Sequence, residues 1–140
     1  LKKYFIFGLH ESYTSKSVLD IIKKTEDRVR YNTYDEINIH QSKSFENELA
    51  LAFDFIGNST FGLEIDLDAV PNIASSAITP SGFSLENLRH FVHYMSRNKN
   101  VAYLHICEGA PELGDVKNPN MVGKLIGYLI TDFIKANSIE

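Results

Sequence analysis

The chain has 140 residues, of which 44% are hydrophobic and 23% charged, and its formal net charge is -4. That length allows one domain or a piece of one, and the apolar share belongs to a folded chain rather than a disordered one. The negative balance without any Lys/Arg cluster speaks against a nucleic-acid partner, no apolar run reaches the ~18 residues of a membrane span, and the single cysteine, Cys107, excludes an internal disulfide.

The expectation is that no leader precedes the first predicted strand, and a lone thiol suits a reducing compartment, so the expected location is the cytoplasm. The chain opens on Leu1 rather than Met and enters an apolar segment at once. The expectation is therefore that it is the back part of a longer protein.

In chain order, residues 4–9 (Tyr-Phe-Ile-Phe-Gly-Leu) are rich in aromatic and β-branched side chains, the pattern of a buried strand, which ends at His10 and Glu11. A helix is predicted from about Ser15, with Val18, Ile21 and Ile22 on one face. Residues 29–34 read as a second, more polar strand nearer a sheet edge. Ser42 and Ser44 are candidate caps for a helix whose apolar face is Phe45, Leu49, Phe53 and Ile56, ended by Gly57 and Asn58. A third strand opens at Gly62. The helix after it, from about Leu85 to Arg97, carries Leu85, Leu88, Phe91, Val92 and Met95 at helical spacing. Residues 101–107 form the fourth strand, which ends at Glu108. The last helix is predicted to start near Pro119, a favoured first helical position, with Val122, Leu125, Ile126, Leu129, Ile130, Phe133 and Ile134 on its face. Four strand–helix units in strict alternation predict an α/β fold, a three-layer α-β-α arrangement on a parallel sheet with right-handed crossovers. Parallel sheets are covered on both faces, and four strands make a small one, so further strands are expected outside this chain.

The chemistry concentrates in residues 62–84. Leu63, Ile65 and Leu67 are the apolar positions of a buried strand that stops at an acidic pair, Asp66 and Asp68. Residues at i and i+2 of a strand share a face, roughly 6–7 Å apart at ~3.3 Å of rise per residue. Two carboxylates that close repel unless a metal ion, a shared proton or a neighbouring Lys or Arg stands between them. Small residues follow (Pro71, Asn72, Ala74, Ser75, Ser76 and Ala77), so the backbone can pass close to a ligand. Thr79-Pro80-Ser81-Gly82 closes the loop, and Ser84 is placed to cap the next helix, with Glu86 in its first turn. A bare Asp-x-Asp is most often a solvated strand end. Here it lies at the carboxyl end of a buried strand, where α/β proteins place their sites.

Glu108 leaves the next strand at the same end and on its own reads as a loop carboxylate. The three carboxylates together make a hard oxygen-ligand site suited to Mn²⁺, Mg²⁺ or Ca²⁺. The remaining candidates are weaker. His90 and His93, at i and i+3, read as a solvated helix face, and His105 as a packed strand residue. His10 follows a strand end without a catalytic assignment, and Cys107 reads as a buried small apolar residue. No G-x-S-x-G elbow, G-x-G-x-x-G or P-loop occurs.

Ile65-Asp66-Leu67-Asp68-Ala69, then small residues and Thr79-Pro80, then a helix, a strand and Glu108-Gly109-Ala110-Pro111, resembles the ureohydrolase family of arginase, agmatinase and formimidoylglutamase. Three motifs in order over most of the chain are far more specific than Asp-x-Asp alone. The resemblance implies that residues 1–140 are the carboxyl-terminal part of a single arginase-like domain, containing its last four strand–helix units. It implies hydrolysis of a C–N bond in a linear amidine or guanidine, a small-molecule substrate, with two Mn²⁺ ions. Asp66 would bridge both ions and Asp68 would bind one. Glu108, as catalytic and substrate-binding residue, would accept hydrogen bonds from the guanidinium or formimidoyl group, and Thr79 would line the pocket.

The chain also departs from the family's pattern. Pro71-Asn72 stands where the family has Asp-Pro, and Glu-Gly-Ala-Pro stands where arginases have Glu-x-Asn-Pro. Formimidoylglutamase, which converts N-formimidoyl-glutamate to glutamate and formamide, is therefore favoured over arginase or agmatinase. The G-G-x-H and D-x-H-x-D motifs that supply the family's other ligands do not occur, so the chain alone is expected to be inactive. Two readings stand beside this one: a haloacid-dehalogenase-like phosphatase, whose nucleophile is also an Asp-x-Asp, and a non-catalytic α/β assembly module. The oligomeric state, monomer or homo-oligomer, stays open.

Overall fold

In the computed structural model, which describes residues 2–115 and 118–138, the chain divides into two compact units, Leu1–Ser59 and Thr60–Glu140. The first pairs strand β1 (Tyr4–Leu9) in parallel with β2 (Val29–Thr33) across helix α1 (Lys16–Lys23). The Ser15 side chain accepts the Val18 N–H and caps α1, supplying one of the acceptors a helix start lacks. The ladder is irregular between Ile6 and Leu9. Gly8 lies in that gap at φ 78, a backbone conformation that side chains resist, and its N–H turns to the Asn32 Oδ1 at 2.6 Å. Asn32 is fully buried and passes the contact on, its Nδ2 donating to the Glu48 Oε2 at 2.9 Å.

Helix α2 (Phe45–Ile56) is capped by Ser44 rather than Ser42. It packs on β1 through edge-to-face ring pairs, Phe5 with Phe55 and Phe7 with Phe45. Between β2 and α2 the chain makes a short π turn, Asp35–Ile39, that the sequence did not predict. Thr33 and Glu36 bind each other's backbone N–H at its start, the reciprocal pattern of a capping box.

The second unit pairs β3 (Phe61–Asp66) in parallel with β4 (Val101–Cys107), joined by α3 (Leu85–Ser96) and followed by α4 (Met121–Asn137). Ser84 caps α3 as expected. Leu63, Ile65, Leu67, Val70, Phe83, Val92, Val122, Leu125 and Leu129 form its buried core. Arg89 of α3 reaches Asp132 of α4 with two hydrogen bonds, at 2.7 and 3.0 Å, and lies over the Tyr128 ring.

The expected α/β fold with parallel strands is found, as two two-stranded ladders in place of one sheet of four. Each strand pairs with its sequence neighbour across a single helix. Several finer expectations change. In β3 Leu63 and Ile65 are buried while Glu64 and Asp66 are exposed, so the strand is covered on one face. His105, expected to be packed, is exposed on the same period of two, in register with Glu64. Val18 and Ile21 of α1 and Ile130 and Ile134 of α4 are also exposed. Helical period identifies a face but not what covers it. Helix α4 begins at Met121, two residues after Pro119. No helix of the described residues is long and apolar enough to cross a membrane.

Candidate active site

Strands β3 and β4 stop together, with Asp66 in register with Cys107, so Glu108 follows directly beside the acidic pair. The two aspartates do not share a strand face, because the strand ends at Asp66. Its Oδ1 accepts the Asp68 N–H at 2.9 Å and caps a single 3-10 turn, Leu67–Ala69. Asp68 therefore sits within that turn, and its position is set by the cap rather than by strand pleat. Beyond it Val70, Ile73, Thr79 and Phe83 are buried, pinning the loop to the unit's core. Asn72 N–H to Thr79 O, at 3.0 Å, and Phe83 N–H to Ala69 O, at 2.9 Å, close it.

From this loop, residues 74–77 lie along the start of the segment after β4. Ser75 and Gly109 form an antiparallel bridge, Ser76 N–H donates to Glu108 O at 3.0 Å, and Ala110 N–H donates to Ala74 O at 3.0 Å. The same strap binds both carboxylates. The Ser76 hydroxyl is 2.5 Å from Glu108 Oε2 and 3.3 Å from Asp68 Oδ2, and Ala77 N–H donates to Asp68 Oδ1 at 3.0 Å. Glu108 holds φ 64, a left-handed conformation rare for a residue with a side chain.

The structure thus brings together Asp66, Asp68 and Glu108. Thr79 is buried nearby in the loop, but its hydroxyl is committed locally, donating to Ser81 O at 3.0 Å and accepting the Ser81 N–H. His10 is stacked on Tyr34 in the first unit. His90 is exposed and half-buried His93 follows it on the same helix. Ser76 entered the sequence reading only as a small loop residue. No local motif marks it, because its partners lie 8 and 32 residues away in the chain.

Among the described residues no Lys, Arg or His forms an ion pair with Asp66, Asp68 or Glu108. Partial burial pushes the Asp66 carboxyl above its ordinary range, and the Asp68 and Glu108 charges add to this, against the downward pull of the Asp68 N–H. Burial, with the same carboxylates beside it, also pushes the Cys107 thiol up. Cys107 is half-buried rather than buried and is held as a thiol, its Sγ lying 3.5 Å from Ile65 O. These features suit a hard cation with oxygen ligands. They do not complete a site, since no group of three or more His, Cys, Asp or Glu among the described residues is arranged to hold a metal ion. Asp66 and Asp68 fit as part of a larger ligand set.

No protein-family model and no curated sequence matches the chain. Solved structures do. Formimidoylglutamase from Bacillus subtilis is 20% identical with a TM-score of 0.81, over 94% of this chain and 40% of that one. Formiminoglutamase from Trypanosoma cruzi, solved with Mn²⁺, is 14% identical with a TM-score of 0.77, over 96% of this chain and 44% of that one. Arginase from Bacillus caldovelox is 10% identical with a TM-score of 0.78, over 97% of this chain and 43% of that one. The chain spans less than half the length of these structures. Its two parallel strand pairs and their helices have the fold of the corresponding part of these formimidoylglutamase and arginase structures.

Proposed function

We propose that the protein is a Mn²⁺-dependent hydrolase of a C–N bond in a linear amidine or guanidine, and that N-formimidoyl-glutamate is its substrate. The observation that carries this reading is the convergence at the ends of β3 and β4, where one hydroxyl, that of Ser76, reaches both Asp68 and Glu108. Asp66 and Asp68 would hold Mn²⁺ together with ligands from outside these residues. When bound, the metal supplies an activated water at neutral pH. The chain's own residues do the rest. Asp66 and Asp68 would hold the ions, and Glu108 would accept hydrogen bonds from the amidinium N–H groups, orienting the central carbon. Its negative charge favours the cationic form that develops at the leaving nitrogen. Thr79, buried in the loop and turned onto Ser81, would line the substrate side of the site. The Mn²⁺ in the Trypanosoma cruzi structure and the Glu-Gly-Ala-Pro sequence after β4 support the choice of metal and substrate.

The test is turnover of N-formimidoyl-glutamate, arginine and agmatine by the native protein from its source cells, with Mn²⁺ and with EDTA. Formamide release that needs Mn²⁺ and disappears in Glu108→Gln is expected. Urea release from arginine or agmatine would reassign the substrate, and no turnover of any of the three would refute the reading.

A further inference from the structure

We propose that Ser76 is a positioning residue for this reaction, whose hydroxyl sets the spacing between the metal-holding Asp68 and the substrate-holding Glu108. The inference rests on the functional reading above. A serine hydroxyl carries one hydrogen, so it can donate to only one carboxylate at a time. Glu108 Oε2 is the nearer acceptor, and Asp68 Oδ2, at 3.3 Å, is the alternative one. Hydrogen bonds to an ionised acceptor are the strong ones. This one fixes the Glu108 carboxylate and leaves its second oxygen without a donor among the described residues.

The backbone around Ser76 repeats the same job. Ser76 N–H holds Glu108 O, Ala77 N–H holds Asp68 Oδ1, and the Ser75–Gly109 bridge lies between. Glu108 is thereby kept at φ 64, a conformation that a residue with a side chain resists. Backbone strain persists where surrounding contacts over-determine it, and it clusters at functional positions. A purely structural role explains the Ser76 hydroxyl poorly. Ser76 is exposed, and hydrogen bonds among exposed groups add little to stability. Its geometry is explained by what it does to Glu108 and Asp68.

The test compares Ser76→Ala and Ser76→Thr with the wild type in the native protein. KM and kcat are read with N-formimidoyl-glutamate, and Mn²⁺ binding by electron paramagnetic resonance titration. In Ser76→Ala, KM should rise about tenfold, the loss of one hydrogen bond to a charged group, with kcat changed less than about threefold. Mn²⁺ affinity should fall by no more than about threefold, because Ala77 N–H still holds Asp68. Threonine, which keeps the hydroxyl, should restore KM. An unchanged KM in Ser76→Ala would overturn the proposal. So would a KM that rises equally in both variants alongside a lower melting temperature, which marks a folding role. Wild-type protein that binds no Mn²⁺ and turns over none of the three substrates would instead refute the parent reading, and the positioning role with it.

Discussion

Removing the Asp66 charge should stabilise the metal-free chain and weaken the metal-loaded protein. Asp66 does two separable things. Its Oδ1 accepts the Asp68 N–H at 2.9 Å and caps the turn after β3, and its charge stands beside those of Asp68 and Glu108. Asparagine keeps an acceptor at the first position and removes the charge. The carboxyl is raised from its ordinary value of 3.8 by partial burial and then by those two charges. An acid raised on folding is best accommodated when protonated. Its contribution is most favourable below the unfolded value near 3.8 and is lost as pH rises through the folded value, so at neutral pH the charge opposes folding. Asp66 is exposed, and charge pairs at exposed sites are worth little, so Asp66→Asn should gain at most about 0.5 kcal/mol. Asp66→Ala also loses the cap acceptor, which costs about 1 kcal/mol.

Without divalent metal at pH 7 the stability order in this chain should therefore be Asn above Asp above Ala. With the proposed Mn²⁺ site in the native protein, metal at ~100 times its dissociation constant should add about 2.7 kcal/mol to the wild type. It should add far less to either variant, so that wild type moves above Asp66→Asn. Thermal and urea unfolding followed by circular dichroism, with EDTA and with Mn²⁺, reads both orders. The reasoning fails if Asp66→Asn is less stable than wild type in EDTA, or if Mn²⁺ stabilises the variant as much as the wild type.

Two further predictions concern the first unit. Burial would raise the Glu36 pKa, but Lys43 at 2.9 Å and the Thr33 N–H outweigh it and hold the carboxyl below its ordinary 4.5. That stabilisation is present above the unfolded value and is lost as pH falls through the folded one, so Glu36→Gln should flatten the loss of stability below pH 4.5. Urea midpoints between roughly pH 6 and pH 3 check this, and parallel curves for variant and wild type would refute it. Asn32→Ala should cost about 3 kcal/mol in chemical denaturation, because it strands the buried Glu48 carboxylate and the Gly8 N–H together. A loss under about 1 kcal/mol would mean that water replaces both contacts.

The sequence was most legible where structure is local. Ser44 and Ser84 cap the helices they precede, the first helix starts from about Ser15 as predicted, and the alternation of strand and helix survives, because these depend on neighbours a few residues away. The Asp-x-Asp motif located the site, yet the i, i+2 rule misplaced Asp68, since Asp66 spends its own side chain ending the strand. The π turn at Asp35–Ile39 is too short to show any period. Val18, Ile21, Ile130 and Ile134 sit on predicted faces but are exposed, because amphipathic spacing carries no record of a partner surface. Ser76 was invisible for the strongest reason: both its acceptors are tertiary.

The geometry at Glu108 also shows how the site is coupled to the core. The conformation at φ 64 is one that glycine adopts freely, and a glycine is the very next residue, yet the glutamate occupies the strained position. Gly109 is needed where it stands for a different reason. A Cβ there would lie 3.0 Å from Leu67 Cδ1 and 3.1 Å from Val122 Cγ1, both of them buried side chains. The turn after β4 is thus pressed between the core of the unit on one side and the strap of residues 74–77 on the other. Shifting the two residues by one would relieve the strain at position 108 and put a side chain into the core instead. The carboxylate and the close approach each demand their own position, and the backbone strain at Glu108 is the consequence of meeting both in adjacent residues.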